Sequence, residues 1–184
     1  MGKDECLHAD WQTIGYEDGA RGYPGTRIGE HRKACAKHGI APDLAAYEAG
    51  RQTGLKVWCT PRNGYRLGLK GKRYNGVCPE LLEDAFVEAL GRGRAVYGYA
   101  NQVKKARQEL KEMHVELEAM DTDLNAMEAE LVSEGATPRR RVHLLRKIRQ
   151  LETDRDLFLN DIEDLEAQVA DMQANLKRMR ADAP

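Results

Sequence analysis

The stretch GYEDGARGY at residues 15–23 returns as GYRLGLKGKRY at 64–74, keeping a Gly-Tyr-x-x-Gly-x-x-Gly frame while its charges change. On a helix Gly15, Gly19 and Gly22 share a face, as do Gly64, Gly68 and Gly71, with Trp11 and Tyr16, or Tyr65, beside them. A helical glycine costs roughly 1 kcal/mol against alanine, so such a row marks a place where a second backbone or an aromatic ring lies close. Tyr47, Gly50 and Gly54 read as a partial third copy. The rival reading, a glycine-rich phosphate cradle, lacks its context: neither copy follows a strand or ends in Gly-Lys-Ser/Thr. The frame is therefore read as a packing device.

Each copy lies between two cysteines, Cys6 and Cys35 around the first, Cys59 and Cys78 around the second. Four cysteines allow three pairings, and the repeat favours Cys6–Cys35 with Cys59–Cys78. Bridges of this size contribute ~3 kcal/mol by the loop-entropy model, useful where small residues leave little core, and they persist only in an oxidising compartment. The opposing reading is a zinc site drawing on Cys6, His8, His31, Cys35 and His38. No C-x-x-C knuckle is present, and the second cysteine pair has no histidine near it.

Outward from this region the style of the chain changes. All four cysteines and both tryptophans fall within 1–79, whereas beyond residue 100 the only glycine is Gly135. The composition shifts near 80–100, giving a Cys/Gly-rich helical head at 1–79 and a second part at 80–184. In the head, short helices are expected at about 9–22, 43–55 and 61–71, with Pro42-Asp43 and Thr60-Pro61 as start signals. Cys78-Pro79 opens a longer helix, with Gly91 and Gly93 as a place for it to loosen.

That helix carries a coiled-coil seam: Val96, Tyr99, Val103, Ala106, Leu110, Met113, Leu117, Met120, Leu124, Met127 and Leu131. After SEGATPRR (133–140) a second seam runs Leu144, Ile148, Leu151, Arg155, Phe158, Ile162, Leu165, Val169, Met172, Leu176 and Met179. Gly135 stops the first helix and Thr137-Pro138 starts the second, placing a turn near 133–138. Folding the chain there pairs Leu131 with Leu144 and Met127 with Ile148, and continues to Val96 with Met179, each pair of numbers summing to 275. Such a match about one turn predicts an antiparallel intramolecular hairpin with an arm on the order of 55 Å. A parallel coiled coil in a homo-oligomer is the competing arrangement. The expected fold class is all-α, a small disulfide-stapled glycine-rich helical head with a long antiparallel coiled-coil hairpin.

With 32% charged and 6% aromatic residues the chain is too polar for one compact globule of 184 residues. A formal net charge of -1 provides no global attraction to nucleic acid or an acidic membrane. No apolar run is long enough to span a bilayer, and the opening MGKDECLHADW has no signal core, as expected of a cytosolic chain or of one numbered after a removed export signal.

Catalysis needs a nucleophile and a base in one place. The only serine, Ser133, lies at the expected turn, the cysteines are read as bridged, and no carboxylate is tied by spacing to His8, His31 or His38. Asp18 of the first frame is replaced by Leu67 in the second, so no carboxylate belongs to the repeat. No catalytic residue and no cofactor are expected. Binding is the stronger class. The tip PRRRVHLLRKIR (138–149) has no acidic residue, and its Arg139, Arg140 and Arg141 are candidates for anionic lipid or an acidic partner, with Glu128, Glu130 and Glu134 as neutralising neighbours. Without interleaved stacking aromatics the patch does not fit nucleic acid. Arg155 sits at a seam position opposite Met120, where a register-fixing role is expected, and Leu157 and Leu159 project near it as a candidate partner contact.

The residues Trp11, GYEDG (15–19), Gly22, Cys35, Gly39, Asp43, Tyr47-x-x-Gly50, Gly54-Leu55, Trp58-Cys59-Thr60-Pro61-Arg62-Asn63-Gly64-Tyr65, Gly68, Gly71 and YNGVCP (74–79) together resemble a family of uncharacterised Gram-negative envelope lipoproteins, a domain of unknown function with repeated aromatic-glycine motifs. The resemblance covers about residues 5–100, and Trp58 stands where a tyrosine commonly precedes the cysteine. It implies a lipidated cysteine upstream of residue 1 and outer-membrane anchoring facing the periplasm, and it implies no activity. The expected function is that of a non-enzymatic periplasmic or outer-membrane-associated scaffold that presents its hairpin to envelope proteins. The alternatives are a zinc-binding or nucleic-acid or anionic-ligand adaptor in a reducing compartment, and a cell-wall-active hydrolase.

Overall fold

The computed structural model describes residues 2–182. It is helical, with α1 Lys3–Leu7, α2 Trp11–Ala20, a 3₁₀ turn Gly25–Arg27, α3 Ile28–Ala36, α4 Leu44–Trp58, α5 Pro61–Gly68, α6 Glu80–Leu131 and α7 Pro138–Ala181. No strand occurs among the described residues. Two compact units emerge, one reaching Gly98 and the other Tyr99–Ala181, so residues 80–98 at the start of α6 belong to the first unit. The side chains of Asp43 and Thr60 cap their helices as expected, accepting from the amides of Ala46 and Asn63 at 3.0 and 3.3 Å, and Asp10 caps α2 likewise, accepting from the Thr13 amide at 3.0 Å. Helix α3 was not anticipated; its sequence IGEHRKACA has weak apolar patterning, and the Cys6–Cys35 bridge ties it down.

The first unit is built from two glycine-crossed helix pairs. Helix α2 lies so close on α4 that a Cβ on Gly15 would stand 1.9 Å from the Tyr47 carbonyl oxygen, and one on Gly19 2.2 Å from that of Arg51. The approach is mutual, because a Cβ on Gly50 would meet the Gln12 carbonyl at 1.9 Å and one on Gly54 that of Tyr16 at 2.1 Å. Helix α5 crosses α6 in the same way: Gly64 faces the Phe86 carbonyl (2.4 Å to a Cβ), Gly68 that of Leu90 (2.3 Å) and Gly93 that of Tyr65 (2.2 Å). Backbone this close favours Cα–H···O contacts and leaves no room for any side chain.

These pairs correct one reading. Tyr47, Gly50 and Gly54 are not a third copy of the frame but the opposite face of the first crossing, with Phe86, Ala89 and Gly93 as counterparts 39 residues on. The frame itself repeats at an offset of 49, Gly15 to Gly64 and Gly19 to Gly68. Each frame closes on a left-handed glycine, Gly22 (φ 75°) against the Trp58 ring and Gly71 (φ 63°) against the Tyr97 ring. Nor does α6 loosen at Gly91 or Gly93. It runs unbroken, Gly93 being closed over by the α5 backbone.

Both bridges form as the repeat favoured, Cys6–Cys35 and Cys59–Cys78, and each joins a small core. One core holds Cys6, Trp11, Ile28, Cys35 and Tyr47; the other holds Leu55, Cys59, Cys78 and Phe86, with Trp58 stacked on Phe86 at 4.8 Å.

In the second unit α6 and α7 form the antiparallel hairpin. Val103, Leu144, Ile148, Ile162, Val169 and Leu176 are buried along the seam, and Arg155–Asp121 and Arg140–Glu130 ion pairs, with His114 Nε2 3.4 Å from Glu166 Oε1, tie the arms in the expected register. At the turn Ser133 Oγ donates to the Glu130 carbonyl at 2.8 Å, and Thr137 Oγ1 accepts from the Arg140 amide at 3.3 Å.

Candidate functional site

The structure gathers one polar constellation in the interior of the first unit. Asp18, on α2, is 4% exposed, and its Oδ2 accepts from the Tyr47 hydroxyl on α4 at 2.9 Å while lying 2.9 Å from His31 Nε2 on α3. One carboxylate oxygen thus links three helices. The His31 ring is flanked by Trp11 at 6.2 Å and Tyr47 at 6.1 Å. Burial, and then the hydrogen bond to Asp18 and its charge, push the Tyr47 phenol well above its ordinary value, so it stays a protonated donor. Arg27 adds positive charge nearby. Its guanidinium lies 4.8 Å over the Tyr23 ring and pairs with Glu30, while its buried Nε has no hydrogen-bond partner.

The second crossing is an internal control for this cluster. At the equivalent positions Leu67 replaces Asp18 and Phe86 replaces Tyr47, and the helices still cross in close backbone contact. A buried carboxylate is therefore not what the glycine crossing requires. Chemically, Asp18 orients His31 as in an acid–base pair, with the Tyr47 hydroxyl as its other partner, while Cys6 and Cys35 are bonded to each other and Ser133 lies in the other unit. The same bond removes both thiolates from the zinc reading.

Spacing alone tied no carboxylate to His31, because Asp18, His31 and Tyr47 come from three helices. The available signal was the coupled loss of Asp18 and Tyr47 in the second copy. Only the structure showed that those two positions touch.

On the hairpin, the expected tip residues divide. The Arg140 guanidinium is bound by both Glu130 carboxylate oxygens at 2.6 Å, which holds Glu130 below the usual carboxylate range, and Arg141 donates to the Ser133 carbonyl at 3.1 Å. Arg139 has no such partner among the described residues. Arg155 reaches from its seam position to Asp121 Oδ1 at 2.5 Å and lies 3.8 Å from Asp156. Leu157 is 61% exposed, whereas Leu159 is half-buried. The structure adds what the sequence reading passed over: Val132 is 80% exposed, Val142 52% and Leu145 43%, all at the turn end of the hairpin.

Residues 10–95 match the model of a protein family of unknown function, DUF2799. The DUF2799 match takes in both glycine crossings, the Asp18 cluster and the second bridge, and ends just short of the hairpin unit. No curated protein and no solved structure matches the chain.

Proposed function

We propose that this chain is a non-enzymatic interaction protein of the bacterial envelope, facing the periplasm and anchored at the outer membrane by a lipidated segment upstream. Its DUF2799 head is a rigid platform, and its hairpin engages an envelope protein through the tip. The observation that carries this reading is the exposure of Val132, Val142 and Leu145 together at the turn end of the hairpin. Apolar side chains beside cations with no partner among the described residues, such as Arg139 and Arg146, suit a partner surface with an apolar centre and an acidic rim. Two bridges favour an oxidising compartment, where such an encounter takes place outside the cytosol.

The test places a photo-crosslinking amino acid at Val142 and, as a control, at Val115 in the middle of the hairpin, in the native host. A discrete protein adduct from position 142 alone is expected. Equal adducts from both positions, or thiols that alkylate before reduction in isolated envelopes, refute the reading.

A further inference from the structure

The hairpin holds a second feature at the end away from its turn. A groove of about 650 Å³ runs between the two helices, lined by Lys104, Arg107 and Lys111 of α6 and by Lys177 and Arg180 of α7, with Val103 and Leu176 in its floor. Lys104, Arg107, Gln108 and Lys111 stand at i, i+3, i+4 and i+7, as do Gln173, Leu176, Lys177 and Arg180, so each helix turns one continuous stripe toward the groove. No carboxylate lines it, and none of the five cations has an ion-pair or hydrogen-bond partner among the described residues. Lys105 and Arg178 flank it.

Elsewhere the hairpin answers some of its cations, although Arg139 and Arg146 at the turn end have no partner among the described residues. Arg140 has Glu130 and Arg155 has Asp121. Between the groove and the turn, residues 112–138 contain eight carboxylates and no lysine or arginine, and residues 150–172 contain eight carboxylates and only Arg155. Favourable placement at a helix C-terminus accounts for cations in the last turn of α7, but not for Lys104, Arg107 and Lys111 deep inside α6.

We infer that this groove binds the phosphates of anionic lipid headgroups. Its charged lining consists entirely of donors, and the arginines present the planar fork that matches phosphate oxygens. An acidic protein helix fits less well, because Val103 (5% exposed) and Leu176 (8%) are already spent in the hairpin seam and leave little apolar area for a partner to bury. The stripes extend over roughly 10 Å of helix and continue sideways into Lys105 and Arg178, a width that suits several headgroups better than one soluble phosphate. The acidic stretch beyond repels such a surface and keeps the middle of the hairpin off it. The inference stands apart from the tip-partner reading, since the two surfaces share no residue.

The experiment is co-sedimentation of the full chain with phosphatidylcholine vesicles, with and without phosphatidylglycerol, at low and high salt. Binding that requires phosphatidylglycerol and fades with salt is expected. Replacing Arg107→Gln and Lys177→Gln together should weaken it by at least about tenfold, at roughly fivefold per removed cation, while Arg107→Lys with Lys177→Arg keeps it. Replacing Arg139→Gln and Arg149→Gln at the turn end should change it less than about twofold, because charges more than a Debye length from the bound surface contribute little. All four substituted positions are exposed, and helicity checks each variant. Loss of binding in the turn-end variant but not the groove variant overturns the assignment. So does wild-type protein that ignores phosphatidylglycerol vesicles yet binds soluble tripolyphosphate or poly-glutamate through the same residues.

Discussion

Replacing Gly15 by alanine tests the glycine crossing most directly. The added methyl would stand 1.9 Å from the Tyr47 carbonyl oxygen, 2.8 Å from its carbon and 3.0 Å from the Arg51 amide nitrogen. All three atoms are backbone, so no rotamer change relieves the clash, and α2 must lift from α4 by more than about 1 Å to restore ordinary contact. Lifting it loosens the Tyr47–Asp18 bond and the packing around Trp11. Alanine's better helix propensity returns roughly 1 kcal/mol, whereas overpacking against an immovable wall costs about 3 kcal/mol or more, so a net loss near 2 kcal/mol is expected. Gly91, on the same type of helix, has nothing within 4 Å of a Cβ, and Gly91→Ala should stabilise by about 0.5–1 kcal/mol. Urea unfolding with both bridges intact, followed by fluorescence of Trp11 and Trp58, measures both variants in the unit concerned. If Gly15→Ala unfolds at the same midpoint as the wild type or later, the close-approach argument is wrong.

Other outcomes follow from the polar cluster and the bridges. Tyr47→Phe leaves the buried Asp18 short of a donor and should cost about 1–3 kcal/mol, whereas Asp18→Leu combined with Tyr47→Phe copies the Leu67 and Phe86 pair and should recover most of that in the same urea assay. The raised Tyr47 phenol contributes stability that is present below the ordinary tyrosine value of about 10 and lost as pH rises toward the folded-state value, so the Phe variant should lose less stability in alkali. Glu48 is held below its usual range first by its hydrogen bond with Arg51. That contribution is present above the ordinary carboxylate value and disappears as pH falls through the depressed one, and Arg51→Gln should flatten this acid-side dependence in thermal melts. Replacing Cys59 and Cys78 by serine opens a loop with a sequence separation of 19, and Cys6 with Cys35 one of 29, for expected losses of about 3.3 and 3.6 kcal/mol in chemical unfolding.

Local signals placed the helix starts, and for the same reason they failed elsewhere. Asp43 and Thr60-Pro61 act on amides within a turn of themselves, so α4 and α5 begin where the sequence places them. Helix α3 carries no comparable signal and is held by Cys35 and His31 contacts that reach far along the chain. Tyr47, Gly50 and Gly54 looked like another copy of the frame because a periodic row of small residues reads alike on either side of a crossing.

The chain by itself determined the hairpin, since a heptad seam that mirrors itself about Gly135 and Pro138 has one register that pairs every layer, and the face a helix buries is a matter of period. It also favoured the cysteine pairing that forms, because each pair brackets its own glycine frame. What only the tertiary structure decided was which faces meet: the offset that sets Gly15 against Tyr47, the three helices that converge on Asp18, and the two stripes whose cations line one groove. Those juxtapositions depend on crossing positions between elements far apart in the chain, and side-chain periodicity within one helix carries no information about where another will cross it.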